Sequence, residues 1–263
     1  MKLYHPLQLA LTSWQPQSGL TYTEYRPLPQ LKPYIICSWA ISGTPPAGKT
    51  YTYRALPDGC LDIVLNLDYP LLGSLCGGFT HYTDFYFAGS ITLIGLRFHP
   101  GGFVALTGIS GEHCTGGFLP VNSIGLSLEE NLWQLQSIPQ ALEHLQQVIW
   151  CHFLSRQSFK PQMDQLIPYI LTLNPNERVT DLATTLGYSD RQFRRVIRHL
   201  TGYAPKSFLC IMRFQQTLKT LINSPSTSTL DLALSHGYYD QSHLLHEFEE
   251  LGGLSPQELV IDR

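Results

Sequence analysis

The sequence predicts an α+β protein in two parts: an amino-terminal, mostly β domain of sandwich or barrel type, then an all-α domain. Three observations carry that prediction. Near residue 125 the chain changes from Gly-, Pro- and aromatic-rich stretches with short apolar runs to long segments of helical period. A motif of roughly 50 residues then occurs twice, which marks a duplicated unit and not a solenoid. Charge is also segregated. Residues 177–220 carry eight basic against three acidic side chains, net +5, whereas residues 221–263 carry one against seven, net −6. The 263 residues together have a net charge of −3, an average that conceals a short basic segment suited to a polyanion.

With 43% hydrophobic and 14% charged residues, the chain can bury real cores, which excludes general disorder. No stretch approaches the roughly 18 apolar residues of a membrane span. The start, Met1 to Pro6, lacks the positive region and apolar core of a secretory signal. A soluble cytoplasmic protein with no membrane partner is expected. The six cysteines form no C-x-x-C pair and no zinc-type spacing, so they are read as reduced, small, buried residues.

In the first domain, placed at residues 1–156, three runs read as strands: Leu61–Leu67, Phe85–Phe87 and Ile91–Phe98. Turn signals bound them at Pro57-Asp58-Gly59, Gly77-Gly78 and Pro100-Gly101-Gly102. Asp58 is taken as a turn residue; Asp62 lies on a solvent face or pairs with an arginine such as Arg97. Leu142, Leu145, Val148, Ile149 and Phe153 follow helical spacing, so one or two helices within 123–156 close the domain. A connector around 155–162 leads to the second domain, residues 160–263.

That domain holds the duplication. Leu182-Ala183…Leu186-Gly187-Tyr188 is echoed by Leu232-Ala233…His236-Gly237-Tyr238, and Gly202-x-x-Pro205 by Gly253-x-x-Pro256. A small alanine followed four residues later by glycine fits a helix-turn-helix: one helix crosses close to the alanine, and the glycine takes the turn. Thr180 is the candidate cap of the first helix, and Ser189 or Asp190 that of the second. Phe193, Val196, Ile197 and Leu200 then make an apolar face, while Arg191, Arg194, Arg195 and Arg198 occupy the other side. A packed helix presenting arginines after a tight turn is what major-groove reading requires, since arginine forks take guanine O6 and N7 and can also hold phosphates. Lys206–Asn223 reads as one connecting helix of about 27 Å, close to the roughly 34 Å between major grooves on one DNA face.

These residues resemble the AraC/XylS-type bacterial transcription regulators. The resemblance rests on Leu182-Ala183…Gly187-Tyr188-Ser189-Asp190-Arg191-Gln192-Phe193-Arg194-Arg195, on Arg213, on Gly237-Tyr238-Tyr239-Asp240-Gln241-Ser242-His243-Leu244, and on Phe248 with the two Gly-x-x-Pro turns. More loosely, Leu56–Asp62 and Gly95–Gly102 resemble the β-rich sensor domains of one branch. The resemblance implies two helix-turn-helix subdomains joined by a linker helix, with Ala183, Gly187, Phe193, Pro205, Ala233, Gly237, Leu244 and Pro256 building the motifs. It matches Arg191, Arg194 and Arg195 to base-contacting positions in the first subdomain, and Gln241, Ser242, Leu245 and His246 to those in the second; Gln192 and Arg198 of the same first helix are further DNA-binding candidates. The chain departs from the family where an arginine is usual and His246 stands. With Glu247, Glu249 and Glu250 following, the second motif is expected to grip DNA weakly, because it neutralises few phosphates.

No nucleophile–base pair, phosphate-binding glycine loop or ligand-spaced histidine set is present, His81, His99, His113 and Cys114 included, so neither catalysis, metal nor cofactor is expected. The first 125 residues hold 9 Tyr, 2 Trp and 6 Phe, a density able to line an apolar pocket for a small-molecule effector of unknown identity. Promoter or operator DNA is the expected partner, with RNA polymerase and a second copy of the chain as further candidates. The helix around Leu142–Phe153, with Trp150 outside its main stripe, is the candidate dimer surface. Two rival readings stand beside the regulator: a DNA-modifying enzyme using the same binding module, and a protein-interaction regulator docking through its acidic second motif.

Overall fold

The computed structural model describes residues 4–8, 18–69, 73–126, 137–155 and 165–261. Among them, six strands form one antiparallel sheet in the order β1 (Leu20–Tyr25), β2 (Ile35–Gly43), β7 (Ile91–Phe98), β4 (Leu61–Asn66), β5 (Gly73–Gly77) and β8 (Gly117–Pro120). A second, two-stranded sheet pairs β3 (Tyr51–Ala55) with β6 (Thr83–Phe87). The first domain is thus an antiparallel β structure with two open sheets, not a closed barrel. Ile91–Phe98 is the strand its composition predicts, Leu61–Leu67 ends one residue early, and Phe85–Phe87 is the second half of β6. The other strands carry too little alternation to stand out.

The period-two rule distributes the side chains of the central strands. Ala40, Ile63, Leu65, Ile94, Leu96 and Phe98 face one core, against which helix α2 (Ile138–Ser155) packs Leu142, Leu145, Ile149 and Phe153. Trp39, Ile41 and Val64 point the opposite way, toward Tyr53 and Phe87 of the small sheet. Both faces of the large sheet are covered, so β7 reads as a nearly continuous apolar run. Opposite Trp39 in the ladder stands Gly95, where a Cβ would lie 2.3 Å from the indole. The indole lies over a strand that has no side chain there.

Helix α1 (Gly102–Thr107) follows the Pro100-Gly101-Gly102 turn and is wholly buried. The carboxy-terminal domain is helical: α3 (Leu166–Ile170), α4 (Val179–Thr185), α5 (Asp190–Thr201), α6 (Pro205–Asn223), α7 (Thr229–Ser235), α8 (Gln241–Gly252) and α9 (Pro256–Ile261). The two domains share one core, since the cluster around Ile63 and Phe103 runs on through Phe193, Leu200 and Phe208. The expected connector falls mostly outside the described residues. No helix among those described is long and apolar enough to cross a membrane.

Two expectations need correction. Thr180 does not cap α4: the capping position is Arg178, and Thr180 sits inside the helix, its hydroxyl on Asp181. The six thiols are free, but Cys151 is exposed and Cys210 only half-buried; the other four are buried as expected.

Candidate nucleic-acid interface

The first helix pair, α4 and α5, is built on Ala183, buried, and Gly187, whose φ of +69° a residue with a Cβ adopts only with strain. The Tyr188 amide closes the turn on the Ala183 carbonyl at 2.9 Å. Ser189 then caps α5, accepting from the Gln192 amide, while Gln192 Oε1 accepts in return from the Ser189 amide at 3.0 Å. Gln192 therefore spends its carbonyl on the cap and keeps only its amide donors for a partner. Phe193, Ile197 and Leu200 are buried, each contributing about 1.5–3 kcal/mol by leaving water. That packing fixes the rotation of α5 about its axis.

Arg191, Arg194, Arg195 and Arg198 are consequently all exposed on its outer side. Arg194 Nε reaches Asp190 at 2.8 Å, and Arg198 Nε lies 3.9 Å from Glu112 of the amino-terminal domain. Arg194, Arg195, Arg198 and Glu112 line one surface groove with Ala204 and Pro205. The 3-10 turn Gly111–Cys114 that carries Glu112 packs directly on α5.

The second pair, α7 and α8, repeats the plan. Ala233 is buried, Gly237 has φ +76°, and Asp240 caps α8 by accepting from the His243 amide at 2.8 Å. Leu244 and Phe248 are buried; Gln241, Ser242 and His246 are exposed, and Leu245 is half-buried against the core. Pro205 and Pro256 each open a helix after a Gly turn.

Glu247 is not part of the exposed acidic face. It is buried, bonded to both Arg213 Nε at 3.2 Å and Arg213 Nη2, and it accepts the Tyr238 hydroxyl at 2.7 Å. The Arg213 guanidinium also lies 4.5 Å from the Tyr238 ring centroid. Burial, and then the neighbouring Glu247 charge, push the Tyr238 hydroxyl far above its ordinary range. This cluster locks the linker helix α6 to α8. Glu258 turns back to Ser255 at the start of α9, and Asp231 to Ser228 at the start of α7. Of the seven acids in this segment, only Glu247 is cancelled by a cation among the described residues, and Glu249 and Glu250 are the exposed acids on α8.

Away from the helices, Asp62 pairs with Arg97 at 3.2 Å inside the β domain and accepts from the Trp39 indole at 2.8 Å. Asp58 takes the Cys60 amide at 2.9 Å and Gln8 Nε2 at 2.6 Å. Of the alternatives open for Asp62, the arginine pair is the one formed. Sequence reasoning expected an apolar pocket in this domain but not its position or its polar end; the alternation of β4 and β7, which puts Asp62 and Arg97 on the apolar inner face, was the signal available. No cluster of three metal-type ligands exists among the described residues.

A duplicated, capped helix-turn-helix joined by one linker helix, with arginines outward on α5, defines a protein with a double helix-turn-helix domain. Residues 182–260 match the family model described as a helix-turn-helix domain, and residues 23–120 match a domain of unknown function, DUF6597. The carboxy-terminal domain is accordingly an AraC-type helix-turn-helix domain. Among solved structures, the chain is similar to ToxT from Vibrio cholerae, at 10% identity and a TM-score of 0.40 over 81% of this chain and 98% of that one. Similar too are ToxT bound to an unsaturated fatty acid (11% identity, TM-score 0.37, 81% and 86% covered) and ToxT bound to (E)-4-(8-methylnaphthalen-1-yl)but-3-enoic acid (11%, 0.39, 81% and 98%). No curated protein matches the chain in sequence.

Proposed function

We propose that this protein is a sequence-specific, double-stranded-DNA-binding regulator of transcription in which α5 dominates the grip. The observation that carries the reading is the rotation of α5: its buried Phe193, Ile197 and Leu200 leave Arg191, Arg194, Arg195 and Arg198 together on the outer face. Arg191, Arg194 and Arg195 read bases, with Gln192 donating beside them, and Arg198 holds phosphate. Helix α8 adds Gln241, Ser242, Leu245 and His246, which carry no fixed positive charge, so its share of affinity is small and nearly salt-independent. The β domain regulates, through a small effector in its inter-sheet cavity. Footprinting of the full chain on its flanking promoter tests the asymmetry: one protected major-groove segment with a fainter second is expected. Two equally strong segments, each lost on mutating its own helix, would restore a symmetric grip.

One observation favours a second role for the carboxy-terminal subdomain. Leu230, Leu234 and Tyr239 are large apolar side chains left exposed on α7 and the turn after it. A protein partner such as RNA polymerase covers such side chains more readily than DNA does. Leu234→Ser with Tyr239→Ser should leave operator affinity unchanged and reduce transcription from the bound promoter; unchanged transcription removes this reading.

A further inference from the structure

The cavity of the β domain lies between the inner face of β2, β4 and β7 and the small sheet β3–β6, and has a volume of about 90 Å³. Its walls are apolar and largely aromatic, with Trp39, Tyr53, Phe85 and Val64 among them. At its polar end sits Arg97, only 7% exposed. Its Nε is engaged with Asp62, at 3.2 and 3.4 Å to the two carboxylate oxygens. The terminal guanidinium nitrogens have no hydrogen-bond partner among the described residues, although guanidinium offers five N–H donors. The acceptors nearby are already engaged: Asp62 by Trp39 and Arg97, and Asp58 by Cys60 and Gln8. The site thus turns unpaired donors into the cavity and, among the described residues, has no free acceptor to meet them.

Charge decides what kind of acceptor fits. One guanidinium faces two carboxylates, Asp58 and Asp62, across an apolar wall, and burial already pushes the Asp62 carboxyl above its ordinary value. A second anion beside Arg97 would add to that negative balance, and a cation would find the carboxylates occupied. An uncharged acceptor avoids both costs. Size narrows the choice further, because a closed cavity of roughly 150 Å³ holds benzene. At about 90 Å³ and open on one side, this cavity takes no more than one ring, part of which stays in the mouth.

Resting on the reading of the β domain as an effector-regulated module, we propose that this cavity binds a small uncharged aromatic carbonyl compound, its oxygen accepting from Arg97. The walls that would sense it are those that touch the DNA-binding domain. The Phe79 carbonyl, on the cavity rim, accepts from the Tyr203 hydroxyl at 3.0 Å, just after α5. Next to Leu56 and Asp58, the Pro57 carbonyl accepts from Gln215 of α6 at 2.9 Å, and Gly59 packs on Phe208. Occupancy displaces these segments and changes how α5 and α6 are held.

The test uses the full chain with three probes of one ring each: acetophenone, benzoate and benzylamine. The readout is the Trp39 indole N–H resonance, identified by its loss in Trp39→Phe. Acetophenone should shift it saturably, with benzoate and benzylamine weaker by about tenfold or more, the charge penalty expected in an apolar site. Val64→Trp, which fills the cavity, should abolish the shift, and Arg97→Lys, which keeps the charge but loses the fork, should weaken acetophenone by about tenfold. Benzoate or benzylamine binding as tightly as acetophenone overturns the assigned class, as does binding by none of the three or a shift that survives in Val64→Trp. The effector reading is scored separately, by operator affinity. If filling the cavity in a folded Val64→Trp protein leaves that affinity untouched, the regulatory coupling fails whatever the probes do.

Discussion

Single side chains on α5 make different contributions because their positions differ. Arg195 is exposed and free of any ion pair among the described residues, so it is available for a bidentate base contact. Arg195→Ala should cost about 1–3 kcal/mol of operator binding and relax one base position, whereas Arg198→Ala should weaken all sequences alike and reduce the salt slope by about one. Salt-controlled titrations in which both variants bind as the parent does would show that α5 faces elsewhere. Glu247 illustrates the opposite case. Removing it leaves Arg213 and Tyr238 without their buried partner, so Glu247→Ala should lose roughly 3 kcal/mol in denaturant unfolding, while Glu249→Gln stays within about 0.5 kcal/mol. His99 is the acid-sensitive position. Burial, reinforced by His5, lowers its pKa to about 4, and its Nδ1 is buried without a partner. Between about pH 6.5 and 4 the unfolded chain binds a proton that the folded chain refuses, so stability falls on acidification across that window. His99→Phe should shrink the fall by up to roughly 3 kcal/mol; equal pH slopes for the two proteins would remove His99 as the cause.

At the scale of elements, the turn Gly111–Cys114 bears directly on the recognition helix. Glu112 lies 3.9 Å from Arg198, the residue proposed to hold phosphate, with both side chains about half exposed. Such a pair adds little to stability, yet on the proposed reading it would compete with DNA for the same cation. Glu112→Gln should leave unfolding unchanged within about 0.5 kcal/mol and raise operator affinity at low salt, a gain that fades as salt screens the pair. An affinity gain that persists at high salt would need another explanation. Helix α2 has a different outcome from its sequence reading. Phe153 is buried in its own core and Trp150 is partly covered by it, so the helix packs on its own sheet. A dimer through α2 would be left with Trp150 and the polar side chains around it.

At the scale of the molecule, the two domains are not beads on a linker. Their cores merge, Gly111 lies against Gly202, Tyr203 bonds to Phe79, and Arg54 reaches the Gly252 carbonyl at 3.4 Å beside the second recognition helix. Tyr82 also packs on Gly253, so the amino-terminal domain touches both helix-turn-helix units. Calorimetry of the full chain should accordingly show one cooperative unfolding transition; two resolved transitions would mean the merged core contributes little. This organisation was not legible from the texture change near residue 125, which marks two compositions and says nothing of the contact between them.

The duplicated helix-turn-helix was readable in the sequence because its signals are local. Ala183 and Gly187 four residues apart, the Ser189 cap and the arginine stripe all fall within a few helical turns, and each constrains backbone or helix face by itself. The strands with clear β composition were readable for the same reason. Charge and burial were not, since they depend on partners distant in the chain. Glu247 looks like surface acid until α6 brings Arg213, 34 residues away, against it. Asp62 meets Arg97 across 35 residues, and only the stacking of the two sheets makes that pair the end of a cavity. Local periodicity determined the helices of the duplicated motif, the strands of clear β composition and the arginine face. Tertiary packing alone decided which charges reach solvent, which are cancelled, and where the cavity of the β domain lies.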